Sequence, residues 1–156
     1  MINNDVLRSV RFMLDLSDVK VAEIARLANP DLSLDKTDVK AFLLKEDDEG
    51  YVVCTDLALA SFLDGLVIFR RGRLENSPVR PIENRMTNNL VLKKLRVAFD
   101  LKDVDMQQTF DAAGFPVSKP ELSALFRQPD HRNFRTCGDQ LLRNFLKGLT
   151  LRIRAN

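Results

Sequence analysis

The sequence predicts an all-α protein: two tandem copies of a four-helix module, packed against each other as an internal pseudo-dimer. Three observations carry this prediction. The chain aligns with itself, its apolar residues recur at helical spacing, and nothing alternates at period two for long enough to build a sheet.

The repeat is read by placing Asn3-Asn4-Asp5-Val6-Leu7-Arg8 over Asn88-Asn89-Leu90-Val91-Leu92-Lys93. The register holds to Val19 over Val104, with nine identities in 17 pairs. After a two-residue length difference, Val39–Leu66 aligns with Leu122–Leu149 and adds nine identities in 28 pairs. Average residue usage would supply roughly one to two matches in a window of that length. The copies are expected at residues 1–71 and 86–156, joined by an exposed linker over 72–85 that contains Pro78 and Pro81 and has no apolar period.

Each copy reads as four helices. The first buries Val6, Leu7, Val10, Met13 and Leu14, an i, i+1, i+4, i+7, i+8 stripe, with Asn3 or Asn4 expected as the N-cap. The second starts after Asp18 or Asp103, taken as caps, and stops at Asn29-Pro30 or at Gly114. In copy two the third opens with Ser118-Lys119-Pro120-Glu121, a capping box with proline in the first turn, where its missing N–H costs nothing. The fourth begins near Asp56 or Asp139 and carries Phe62, Leu63 and Leu66, or Phe145, Leu146 and Leu149. Gly65 and Gly148 fall inside it, where glycine costs about 1 kcal/mol relative to alanine. Keeping that cost twice predicts close approach of another backbone, and the expectation is that the fourth helices cross near these glycines.

The Asn-Asn-x-Val-Leu-[Arg/Lys] openings and the Cys-x-Asp-x-x-x-x-x-Phe-Leu-x-Gly-Leu segments, arranged in tandem, resemble the YehS-like family of small bacterial proteins. The similarity covers nearly the whole chain. The family is one of unknown function, so the resemblance implies a duplicated helical fold and a bacterial cytosolic setting, and it transfers no active site.

Composition narrows the function classes. The chain has 156 residues, 45% of them apolar and 29% charged, which is ordinary for a globular protein. A lone module of half that length would bury a marginal core, so the copies are expected to pack together. The opening Met1–Asp5 lacks the basic and apolar regions of a signal peptide, and Leu57–Phe69, interrupted by Asp64, is too short to span a bilayer. A cytoplasmic protein without membrane contact is expected. Two cysteines and one histidine leave little for a disulfide framework or a metal centre, and no cofactor is expected.

Cys54-x-Asp56 and Cys137-x-Asp139 invite a nucleophile reading, but a thiolate needs a base or a cationic site nearby, and copy one has no histidine. A small apolar plug beside a capping aspartate is preferred. Asp47 and Asp130 would form an acid–base dyad only if they met at the symmetry axis, and aspartate at turns and caps is commoner. Arg11 and Arg96 stand four residues before Asp15 and Asp100, spaced for an ion pair worth ~0.3 kcal/mol, or they reach between modules. Asp103–Ala113, the Gly114-Phe-Pro-Val turn and Ser118–Phe126 have helix–turn–helix length, but Lys119, Glu121 and Ser123 make a poor DNA-reading set, and the geometry also serves ordinary packing.

The copies disagree in charge. Residues 1–75 carry 10 Lys/Arg and 14 Asp/Glu, a net −4, whereas residues 87–156 carry 12 and 7, a net +5. Asp48, Glu49 and Asp64 become His131, Arg132 and Lys147, while Leu44, Val52 and Ala60 become Arg127, Arg135 and Arg143. These six residues form the candidate partner-binding basic face. Phe134 and Phe145 are expected in the core. The switches have a structural explanation too, in which the oppositely charged faces pair across the interface between copies. The functional reading is a non-enzymatic interaction module that recognises a protein partner or self-associates. The alternative is a nucleic-acid-binding regulator that uses the helix–turn–helix-like unit and the basic face of copy two.

Overall fold

The computed structural model describes residues 1–73 and 81–155; Pro78 of the expected linker lies outside them. Among the described residues eight helices run in order: α1 Asn3–Leu14, α2 Asp18–Ala28, α3 Lys36–Leu43, α4 Asp56–Arg71, α5 Asn88–Ala98, α6 Asp103–Ala112, α7 Lys119–Leu125 and α8 Asp139–Arg154. The described residues contain no strand. The all-α fold and its two four-helix copies are thus as the periodicity predicts.

Local chemistry explains most boundaries. Ser118 Oγ accepts the Glu121 N–H at 3.2 Å to start α7 with Pro120 in its first turn. Asp35 and Asp38 cap α3 reciprocally: Asp35 Oδ1 accepts from Thr37 N at 2.9 Å, and Asp38 Oδ2 accepts from Asp35 N at 3.0 Å. The N-cap positions of the second helices fall one residue earlier than expected, at Ser17, whose hydroxyl accepts the Lys20 N–H, and at Lys102, whose own N–H is taken by Asp105, so Asp18 and Asp103 are first helical residues. Asp15 and Asp100 end α1 and α5 in the left-handed region, with φ of 54° and 52°. That backbone places the N–H of Leu16 on Arg11 O and that of Leu101 on Arg96 O, each at 3.0 Å. The retained arginines therefore do not pair with these aspartates. Arg11 reaches Asp18 at 3.4 Å and Arg96 reaches Asp103 at 2.7 Å, each within its own copy, bracing the turn into the second helix.

The helix-interior glycines do mark close approaches, but the partner differs from the expected one. A Cβ on Gly65 would lie 1.8 Å from the carbonyl oxygen of Ile24, and one on Gly148 would lie 1.9 Å from that of Thr109. The fourth helix of each copy therefore crosses the second helix of the same copy, not the other fourth helix. A missing side chain lets two helix backbones touch there, and the contact repeats in both copies because the same pair of elements makes it.

The first helices tie the copies together. α1 packs along α8 of the other copy, and α5 packs along α4. Reciprocal bonds mark the pseudo-two-fold: Arg71 donates to Val97 O at 3.3 Å, and its counterpart Arg154 donates to Phe12 O at 2.8 Å. The Arg154 guanidinium also covers the Phe12 ring at 4.4 Å. One apolar core runs through both copies, from Val6, Val10, Phe62 and Leu66 to Leu92, Leu95, Phe145 and Leu149. Sharing a core lets modules this small bury enough surface to stay folded.

Candidate functional site

The Asn-Asn and Cys-x-Asp pairs retained in both copies gather where α1, α4, α5 and α8 begin. The fully buried Asn4 side chain donates to Phe42 O at 2.9 Å and Val52 O at 2.8 Å, and accepts the Cys54 N–H at 2.9 Å. Asn89 repeats this with Leu125 O, Arg135 O and Cys137 N, each at 2.9 Å. Asn3 donates to Cys54 O at 3.0 Å and Asp56 Oδ1 at 2.6 Å, and Asn88 does the same to Cys137 O and Asp139 Oδ1. The asparagines are therefore not N-caps. They are the first helical residues, behind Ile2 and Thr87, and they clamp the segment that leads into the fourth helix.

The aspartates join the copies here. Asp56 Oδ2 accepts the Met86 N–H at 3.0 Å, and Asp139 Oδ2 accepts the Met1 amino group at 2.6 Å. The Asn3 hydrogen bond holds the Asp56 carboxyl below its usual range, and the Met1 amine does so for Asp139. Neither caps α4 or α8 in the strict sense; Thr55 and Gly138 hold those positions. Both thiols are buried. Desolvation, with help from Asp56, pushes Cys54 up to about 12, and burial pushes Cys137 up to about 11 despite Arg135. Such thiols stay protonated, as an apolar plug would. The cue available in the sequence was the pairing of Asn-Asn with Cys-x-Asp in both copies, which read as local capping because hydrogen bonds across 38 to 53 residues leave no local pattern.

Asp47 and Asp130 are both exposed, in the α3–α4 and α7–α8 connections. Those two loops share one backbone design. Asp48 N bonds Lys45 O as His131 N bonds Gln128 O, and Val52 N bonds Ala41 O as Arg135 N bonds Ala124 O. On that common frame copy one presents Glu46, Asp47, Asp48 and Glu49, all exposed. Copy two presents Arg127, His131 and Arg132, which line a shallow open concavity with Phe126, Gln128 and Asp130.

The other three predicted basic residues are placed elsewhere or engaged. Arg135 donates to Glu121 at 2.6 Å, which ties the start of α7 to the loop. Arg143 and Lys147 are exposed one helical turn apart on α8 and do not line the concavity. The counterpart of Lys147, Asp64, binds Lys94 at 2.6 Å across the copies, and Lys94 also holds Glu83 at 2.9 Å. The sign change at that position thus follows from the interface. Glu83, inside the expected linker, is half-buried. A second depression, lined by Arg71, Lys93, Arg96, Val97, Asp100 and Leu101, shares Phe126 with the first. Sequence reasoning missed Arg71 and Lys93, which come from other elements. Phe145 is buried as expected, whereas Phe134 is only half-buried.

Among the described residues no three His, Cys, Asp or Glu side chains are grouped to hold a metal ion, and no helix is long and apolar enough to cross a membrane. The chain is 45% identical over 152 residues to the uncharacterized protein YehS of Escherichia coli (strain K12), covering 97% of this chain and 96% of that protein. No solved structure matches it. A family model described as a protein of unknown function (DUF1456) matches twice, at residues 3–72 and 88–155. With one match on each copy and such identity along nearly its whole length, the chain belongs to the DUF1456 family of YehS-like proteins.

Proposed function

We propose that this chain is a non-enzymatic interaction module of the bacterial cytoplasm, which recognises an acidic protein surface through the basic loop of its second copy. One observation carries the reading: two loops with the same backbone hydrogen bonds carry opposite charge, acidic at 46–49 and basic at Arg127, His131 and Arg132. Asp48 and His131 also accept backbone N–H groups of their own loops, from Lys45 and Asn133 at 3.0 Å each, so recognition falls to the other charges, Glu46, Asp47 and Glu49 against Arg127 and Arg132. Clustered cations on an exposed rim chiefly set partner choice and association rate. A protein partner is favoured over a nucleic acid because two arginines and one histidine cluster here beside Asp130, too few cations for the row of phosphate contacts on which nucleic-acid affinity rests.

The test is capture of partners from the cytoplasm of the native bacterium, with and without nuclease, using wild type and an Arg127→Glu/Arg132→Glu variant. Protein capture that survives nuclease and is lost on charge reversal is the expected result. Capture that nuclease abolishes, together with salt-dependent binding of purified DNA or RNA, would replace this reading with a nucleic-acid regulator. Concentration-dependent self-association lost in the same variant would identify the acidic loop of a second copy as the partner surface.

A further inference from the structure

The end of the molecule where the first and fourth helices begin is apolar in copy one and polar in copy two. Ile2, Val52, Val53 and Leu57 are 44%, 49%, 59% and 38% exposed. Their counterparts are Thr87, Arg135, Thr136 and Gln140, all exposed. The asparagine clamp brings the backbone at these four positions to one end of copy one. Ile2 precedes Asn3, which is bonded to Asp56 beside Leu57, and Asn4 is bonded to Val52. Single exposed apolar side chains are ordinary, but four at one end, next to a run of exposed carboxylates, are not. The chain passes from Glu46–Glu49 through Gly50 and Tyr51 straight into Val52 and Val53, so the acidic loop borders the patch.

We infer that this end of copy one is a docking surface for an amphipathic protein segment that carries apolar side chains on one face and Lys or Arg along its edge. Burial of the apolar four supplies the driving force, and the carboxylates select a cationic rim. A second copy of the chain satisfies only half of this. Copy one against copy one matches apolar surfaces but sets acidic loop on acidic loop. Copy one against copy two matches charge but places valines on threonine, arginine and glutamine. The complement therefore belongs to a different protein, and an amphipathic helix is the simplest carrier of both features. This surface is distinct from the basic loop of copy two and does not depend on what that loop binds.

The test uses the full chain and a synthetic amphipathic helix with leucines on one face and lysines on the other, followed by fluorescence anisotropy. Val53→Asp and, separately, Glu46→Lys/Glu49→Lys should each weaken binding by about tenfold or more, as expected for central and charge-matched contacts. Lys119→Ser, at an exposed residue at the start of α7 in the other copy, should leave it within about twofold. Far-UV circular dichroism and the thermal midpoint check that each variant is folded, and Val53→Ser replaces Val53→Asp if that one is not. Absence of binding by the wild type overturns the inference. So does equal binding of a serine–lysine peptide, indifference to both variants, or preferential binding to vesicles of phosphatidylglycerol.

Discussion

Replacing Gly65 with alanine tests the packing of the whole module with a single methyl group. The new Cβ would sit 1.8 Å from the Ile24 carbonyl oxygen, and real Cβ atoms essentially never approach within 3.0 Å. The obstacle is helix backbone, which cannot rotate away, so α2 and α4 must part by at least about 1.2 Å, enough to forfeit a large share of the dispersion energy along their contact. That contact holds Ile24, Ala25, Phe62 and Leu66 in the core. Alanine gains about 1 kcal/mol of helix propensity over glycine, while overpacking against an unyielding neighbour costs more than the usual 1–3 kcal/mol. A net loss of about 3 kcal/mol follows, a large fraction of the stability of an ordinary domain. For a chain of this length it lowers the thermal midpoint by roughly 6–12 °C. Urea unfolding and calorimetry measure both figures. Gly148→Ala, whose Cβ would lie 1.9 Å from Thr109 O, should behave alike, while Lys147→Ala beside it on the exposed face should stay within about 0.5 kcal/mol. Wild-type or higher stability in Gly65→Ala would refute the crossing, because propensity alone would then decide. Gly65→Leu should prevent folding.

Three further outcomes follow from the clamp and its charges. Asn4→Ala strands the buried Cys54 N–H and the Phe42 carbonyl and frees the part-buried Val52 carbonyl, and should cost about 3 kcal/mol in urea titrations; a loss below about 1 kcal/mol would mean that water replaces the side chain. The Asn3 hydrogen bond holds the Asp56 carboxyl below its ordinary value of 3.8; for Glu83 desolvation pushes upward, and Lys94 overcomes it to hold the carboxyl below 4.5 in the folded chain. Their stabilisation is therefore full above that range and drains away as pH falls through the lower folded values, so stability should drop in acid, and Glu83→Gln should flatten part of that drop. A stability profile flat from neutral pH to pH 3 would contradict the assignment. Finally, Cys54 and Cys137, pushed up to about 12 and 11, should resist alkylation near pH 8 in the folded chain and react promptly in urea.

Much of the architecture was legible because it is written in local signals. The cap at Ser118, the stops at Asn29 and Gly114 and the apolar stripes of α1 and α4 depend on neighbours within one or two turns, and each sits where those neighbours place it. The candidate surface was legible in part. The charge switch at Glu49 and Arg132 is visible by aligning the copies, but so is the sign change at Asp64 and Lys147, which has a different origin in Lys94 opposite Asp64. Arg71 and Lys93 had no sequence cue to their place beside Phe126, because they arrive on different helices.

The sequence by itself determined that this protein is duplicated and helical, and that something must press closely on Gly65 and Gly148. Only the tertiary structure decided what presses there, and which copy supplies each neighbour. The physical reason lies in the duplication. Two copies with matching apolar faces present α1 with two nearly equivalent partners, its own fourth helix and that of the other copy, and periodicity cannot rank them. Packing does, by setting α1 on α8 and α5 on α4; it makes the retained asparagines clamps within each copy and the retained aspartates bonds between the copies.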